Sequence, residues 1–146
     1  MKRYALAVMI SGVAAILSAC GTSPAADGVG SEPEIDISGV VIRNELDYPV
    51  TDVLLEVPAT RDFAGCGTIL PHSECNNTFQ RIDYRANAVV IRWKERGQPH
   101  QTDEFKVDPP VGARPGDAFR VEVIVFAPGQ AGARLVDAES GEVRTR

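Results

Sequence analysis

The sequence predicts an all-β fold, two antiparallel sheets packed face to face and built from about seven short strands within residues 35–137. Three observations predict it. Apolar residues recur with a period of two through most of the chain beyond residue 34, Pro- and Gly-rich turns separate the runs, and no window there sustains the helical 3.6-residue period.

The chain begins with a segment of another kind. Lys2 and Arg3 form a short basic start, Ala5 to Leu17 form an apolar run broken only by Ser11 and Gly12, and small residues then precede Cys20. That is the grammar of a cleaved secretory signal. As a helix the run reaches about 20 Å, short of the ~30 Å hydrocarbon core of a bilayer, so it is read as removed and not as a permanent span. Its ending, Leu17-Ser18-Ala19-Cys20, resembles the lipobox of bacterial lipoproteins. The resemblance implies a diacylglyceryl group on the Cys20 thiol, cleavage before Cys20 and acylation of the new amino terminus. Gly21 stands where Asp would imply inner-membrane retention, so the implied destination is the outer membrane. The division expected is a signal over 1–19, an acylated cysteine and flexible tether over 20–34, a sandwich over 35–137 and a tail over 138–146.

Gly21 to Pro33 is small and polar, with two prolines and three glycines, and buries too little to offset its ordering entropy. The strands follow. Ile35, Ile37, Gly39 and Val41 alternate with Asp36, Ser38 and Val40, and Arg43 and Asn44 close the first run. Asp47-Tyr48-Pro49 turns the chain, because proline pushes Tyr48 out of the helical region. Val53, Leu55 and Val57 make the second strand, which Pro58 ends.

Cys66 and Cys75 are the cysteines that remain beyond Cys20, and in the oxidising compartment implied by a secretory signal their expected state is a disulfide. Closing a ten-residue ring contributes roughly 2.5–3 kcal/mol in the chain-entropy account. The surrounding run, Phe63-Ala64-Gly65-Cys66-Gly67-Thr68-Ile69-Leu70-Pro71-His72-Ser73-Glu74-Cys75-Asn76-Asn77-Thr78-Phe79, resembles the cysteine-turn-cysteine pattern of bacterial Hydin-like immunoglobulin-like domains. His72 replaces the usual turn glycine, and the proline that often follows the aromatic is missing after Phe79. The resemblance implies an immunoglobulin-like sandwich of the kind that decorates cell-surface and secreted proteins.

Val89, Ile91 and Trp93 alternate with Val90, Arg92 and Lys94, the clearest strand in the chain, and Glu95-Arg96-Gly97-Gln98-Pro99 reads as the turn after it. Trp93 is read as core, with a sugar-stacking platform as the sharper alternative, and Tyr84 as a corner residue bonded to backbone. Gln101 to Val107 reads as a polar edge strand with Asp103 and Glu104 on opposite faces. After a proline-rich loop, Phe119, Val121, Val123 and Val125 alternate with Arg120, Glu122, Ile124 and Phe126. Pro128-Gly129 turns the chain into a last short strand at Arg134-Leu135-Val136.

The charges exclude more than they propose. Fifteen Lys and Arg against 20 Asp and Glu give a net charge of −5 with no basic run, so no nucleic-acid footprint is present and attachment to a membrane falls to acyl chains on Cys20. His72-Ser73-Glu74 opens like a zinc-deaminase motif but lacks its downstream cysteines, and H-E-x-x-H is absent. Asn76-Asn77-Thr78 is a glycosylation triplet only in a glycosylating host. No metal, cofactor or catalytic set is expected. Tyr48, Val90, Ile124 and Phe126 form a candidate apolar contact patch, or else lie under loops of the other sheet.

The function expected is that of an outer-membrane lipoprotein whose immunoglobulin-like domain binds or supports an envelope protein or peptidoglycan without catalysis. The alternatives are an accessory of a secretion or surface-assembly system, and a periplasmic enzyme or metal carrier built on His72 and His100.

Overall fold

A computed structural model describes residues 34–139. The expectations for the signal segment, Cys20, nearly all of the tether and most of the tail therefore lie outside the described residues. Within them the chain forms eight strands and no helix: β1 (Asp36–Asn44), β2 (Val50–Val57), β3 (Asp62–Ile69), β4 (Ser73–Asp83), β5 (Val90–Glu95), β6 (Gln98–Gln101), β7 (Ala118–Ala127) and β8 (Gln130–Asp137). They make two four-stranded sheets, β4-β1-β7-β8 and β3-β2-β5-β6, stacked as a β-sandwich. Eight strands stand where about seven were expected. All pairings are antiparallel except β1 with β7, which run parallel.

The core lies between the sheets and is built from one side of each strand. Ile37, Val40 and Ile42 of β1, Val50, Val53 and Leu55 of β2, Ile91 and Trp93 of β5, and Phe119, Val121, Val123 and Val125 of β7 pack into a single cluster. Deep burial of a Val, Ile or Phe side chain contributes about 1.5–3 kcal/mol each, and this row is the main stabilising term. The alternation read for β7 holds residue by residue. On β1 it slips, because the register against β7 shifts by one residue between Ile37 and Val40, so Val40 and Ile42 point inward instead of Gly39 and Val41. Gly39 permits the slip: a Cβ there would stand 2.6 Å from the Asn77 carbonyl oxygen of β4.

The turns follow their residue chemistry. Arg96 and Gly97 both have positive φ, 48° and 81°, and link the paired Glu95 and Gln98 in a two-residue hairpin of the I′ kind. The expected five-residue turn therefore shrinks to two residues, and Pro99 falls on the edge strand β6, where a missing N–H costs least. Leu70-Pro71-His72-Ser73 closes with a Ser73 N–H to Leu70 carbonyl bond of 3.3 Å, and His72 has φ 51°, the position a type II turn reserves for glycine.

Cys66 and Cys75 form a disulfide, and it does more than close a hairpin. β3 and β4 belong to opposite sheets, so the bond ties the two edge strands on one side of the sandwich. Trp93 is core, 2 % exposed, with β2 between its strand and the strand of Cys66. The Tyr84 hydroxyl donates to the Val107 carbonyl, the expected corner bond. The loops before β2, β4, β6 and β8 gather at one end of the sandwich. The chain enters at Glu34 and leaves at Glu139 at the other end.

Candidate functional site

Two buried carboxylates and one open groove hold most of the polar chemistry among the described residues. The first carboxylate is Glu95, at the end of β5 and 5 % exposed. Its Oε1 accepts from the Trp93 indole N–H at 2.7 Å and from the Gly129 backbone N–H at 2.9 Å, while Oε2 accepts from the Tyr48 hydroxyl at 2.9 Å. Burial pushes this carboxyl up. The bonds from Trp93, Gly129 and Tyr48, with the nearby His100, outweigh burial and hold it below its ordinary value. The Tyr48 hydroxyl is moved upward in turn, by burial first and then by the Glu95 carboxylate, against the opposing Arg96 guanidinium 4.1 Å over its ring. Three loops of the turn end are thereby fastened to one carboxylate. Asn44, fully buried at the end of β1, fastens a fourth: its amide N–H groups donate to the carbonyls of Tyr48, Ile69 and Leu70, and its oxygen accepts from the Leu46 N–H.

The second carboxylate, Glu122, lies on the outer face of the sheet containing β7. Arg43 reaches it at 3.2 Å and Arg134 at 2.5 Å, and Arg43 also pairs with Glu74 at 3.3 Å. The result is a ladder of alternating charge across all four strands, β4 to β8, which neutralises itself. Both buried acids are thus taken up by protein donors and serve the frame.

The groove is different. It has a volume of about 490 Å³ and lies on the outer face of the sheet β3-β2-β5-β6, beside the end at which the chain enters. Val90 forms its floor, 7 % exposed, flanked by Glu56 and Arg92, which pair at 3.3 Å. One wall is Arg61 of the β2–β3 turn with Asp62 and Phe63 at the start of β3, Phe63 being 73 % exposed. The other wall is residues 101–104.

That second wall corrects the expected polar strand over 101–107. β6 ends at Gln101; the Thr102 N–H still bonds the Ile91 carbonyl at 3.0 Å, and Phe105 and Val89 exchange backbone bonds at 2.8 and 3.1 Å. Between these pairings Asp103 and Glu104 together face the single residue Val90, which is a β-bulge. Strict alternation would send the two carboxylates to opposite faces; the bulge puts both in the groove wall. Asp62, Asp103 and Glu104 have no ion-pair partner among the described residues, and the one unpaired cation lining the groove is Arg61.

The candidate contact patch does not assemble. Val90 belongs to the groove, Ile124 and Phe126 lie on the outer face of the opposite sheet, and Tyr48 is held at the turn end by Glu95. The histidines have separate partners: His72 Nε2 lies 2.9 Å from Asp47 Oδ1 at an exposed turn, and His100 stacks on Trp93 with ring centroids 5.5 Å apart. Among the described residues no three His, Cys, Asp or Glu side chains are grouped to hold a metal ion. Sequence reading missed Glu95, although its place two residues after Trp93 carries the inward parity. It missed the bulge because nothing in Thr102-Asp103-Glu104 marks one. Comparison with protein-family models, with curated proteins and with solved structures finds no match for this chain.

Proposed function

We propose that this chain is a bacterial outer-membrane lipoprotein, anchored through acyl chains on Cys20, whose immunoglobulin-like sandwich acts without catalysis by holding another component of the envelope, a protein or peptidoglycan. The observation that carries the reading is the sequence Leu17-Ser18-Ala19-Cys20 at the end of a secretory signal, set a short polar stretch ahead of a disulfide-tied β-sandwich. Two features support it. A disulfide suits a compartment beyond the inner membrane. The deeply buried carboxylates, Glu95 and Glu122, have their oxygens occupied by donors of the same chain, as a scaffold requires, while the groove carboxylates stand open to a partner.

The test has two arms. Expressed in its bacterial envelope, the protein should partition into detergent and carry the mass of a diacylglyceryl group at Cys20, and Cys20→Ser should abolish both. In intact cells, crosslinking followed by mass spectrometry should then recover one envelope protein, or peptidoglycan, above background. An unmodified Cys20 on a water-soluble chain overturns the anchor, and turnover of a substrate by the purified protein overturns the non-catalytic role.

A further inference from the structure

The groove over Val90 combines a recess, an exposed aromatic ring and an excess of unpaired acid, and these fit one class of ligand. We infer that it binds an extended, lysine- or arginine-bearing segment of a partner protein, with a cationic side chain seated between Asp62 on one wall and Asp103 and Glu104 on the other. This deepens the proposed function by naming its partner class, and rests on that reading only for placing the partner in the envelope.

The charge argument comes first. Of the charged residues lining the groove, Glu56 and Arg92 satisfy each other, which leaves three carboxylates against the single guanidinium of Arg61. Left to themselves, like charges facing one recess repel, and a cation entering between them relieves that repulsion. The bulge bears on the same point. An unbroken strand would turn Asp103 or Glu104 away, whereas two residues against one brings both to the wall. The apolar parts match the rest of a long basic side chain. The stem of a lysine or arginine covers apolar surface while its head stays polar, and Val90 and the open Phe63 ring offer such surface beside the carboxylates. A cation near an aromatic face gains further attraction. A wholly apolar ligand would leave the three acids unanswered, and an anionic one would be repelled.

The full-length chain in detergent is titrated with a fluorescent peptide alternating lysine and alanine, and with its glutamate counterpart, at low and at physiological salt. The lysine peptide should bind and the glutamate peptide should not. The double variant D103N/E104Q should weaken the lysine peptide about tenfold or more, as loss of close opposite charges does. Asp62→Asn on the facing wall gives the second reading should that pair fold poorly, and Phe63→Ala should also weaken binding. A control of equal charge change, E45Q/E74Q, away from the groove, should leave binding as in the parent chain. Equal loss in that control means attraction to net charge alone and overturns the inference, as does unchanged binding in the groove variants. The titration reads the groove whether or not Cys20 is acylated, so failure here and failure of the anchor remain distinct results.

Discussion

Replacing Glu95 by alanine tests how much one acceptor does for the turn end. The substitution leaves the Trp93 indole N–H and the Gly129 N–H, now bonded at 2.7 and 2.9 Å, without a partner, while the Tyr48 hydroxyl can turn to water. A buried donor stranded in this way costs about 1–3 kcal/mol, so two put the loss on the order of 3 kcal/mol. For a domain of about 100 residues that lowers the melting temperature by roughly 12–24 °C. Glu95→Gln keeps one carbonyl oxygen for both N–H donors, and its expected loss is about 1 kcal/mol. Paired thermal and urea unfolding of the three proteins measures both steps. The pH dependence has a definite sign. Because the folded carboxyl lies below its ordinary value of 4.5, the unfolded chain binds the proton more readily there, so this contribution is present above that value and is lost as pH falls through the folded one. The difference in stability between the parent and Glu95→Gln should therefore shrink on acidification below 4.5. If Glu95→Ala costs under about 1 kcal/mol, or if Gln costs as much as Ala, the claim that acceptor geometry holds this end is refuted.

Reduction of the disulfide, or Cys66→Ser with Cys75→Ser, should cost about 2.5–3 kcal/mol in urea unfolding, and the oxidised parent should become reductant-sensitive by the same amount. Gly65→Ala should destabilise by about 1–3 kcal/mol, since a Cβ there would stand 2.4 Å from both Leu54 Cδ2 and the Val53 carbonyl oxygen. Gly67→Ala, with open space at the same distance, should stay within about 0.5 kcal/mol of the parent, and equal effects would count against the packing described. Asn44→Ala strands the Leu46 N–H and three carbonyls and should cost about 2–4 kcal/mol by chemical unfolding; a loss below 1 kcal/mol would show those loops to be held by something else.

The sandwich was legible where one face of a strand is buried and the other wet. β7 shows this best, because its apolar residues must occupy every second position to reach the core. The rest depended on departures from that rule. Gly39 and Asp103-Glu104 mark places where pairing slips by one residue, and a slip reverses every side chain beyond it without altering local composition. The pairing of Asp103 with Glu104 on one groove wall was invisible for this reason, since both reach it only where the chain stops alternating. The crossing of β3 and β4 to opposite sheets was hidden too: a short loop with two cysteines has the same sequence whether its arms pair with each other or with different neighbours. Glu95 was legible in parity and passed over in favour of the turn residues beside it.

The placement of β1 has a mechanical consequence. It leads directly from the chain's entry and lies between β4 and β7, one antiparallel and one parallel to it. Tension between a fixed amino terminus and a load on the far turns would drag β1 lengthwise past both neighbours, straining its two rows of backbone bonds together instead of peeling them one by one. A body built in that order resists opposite loads on its two ends better than a sheet whose edge strand takes the pull.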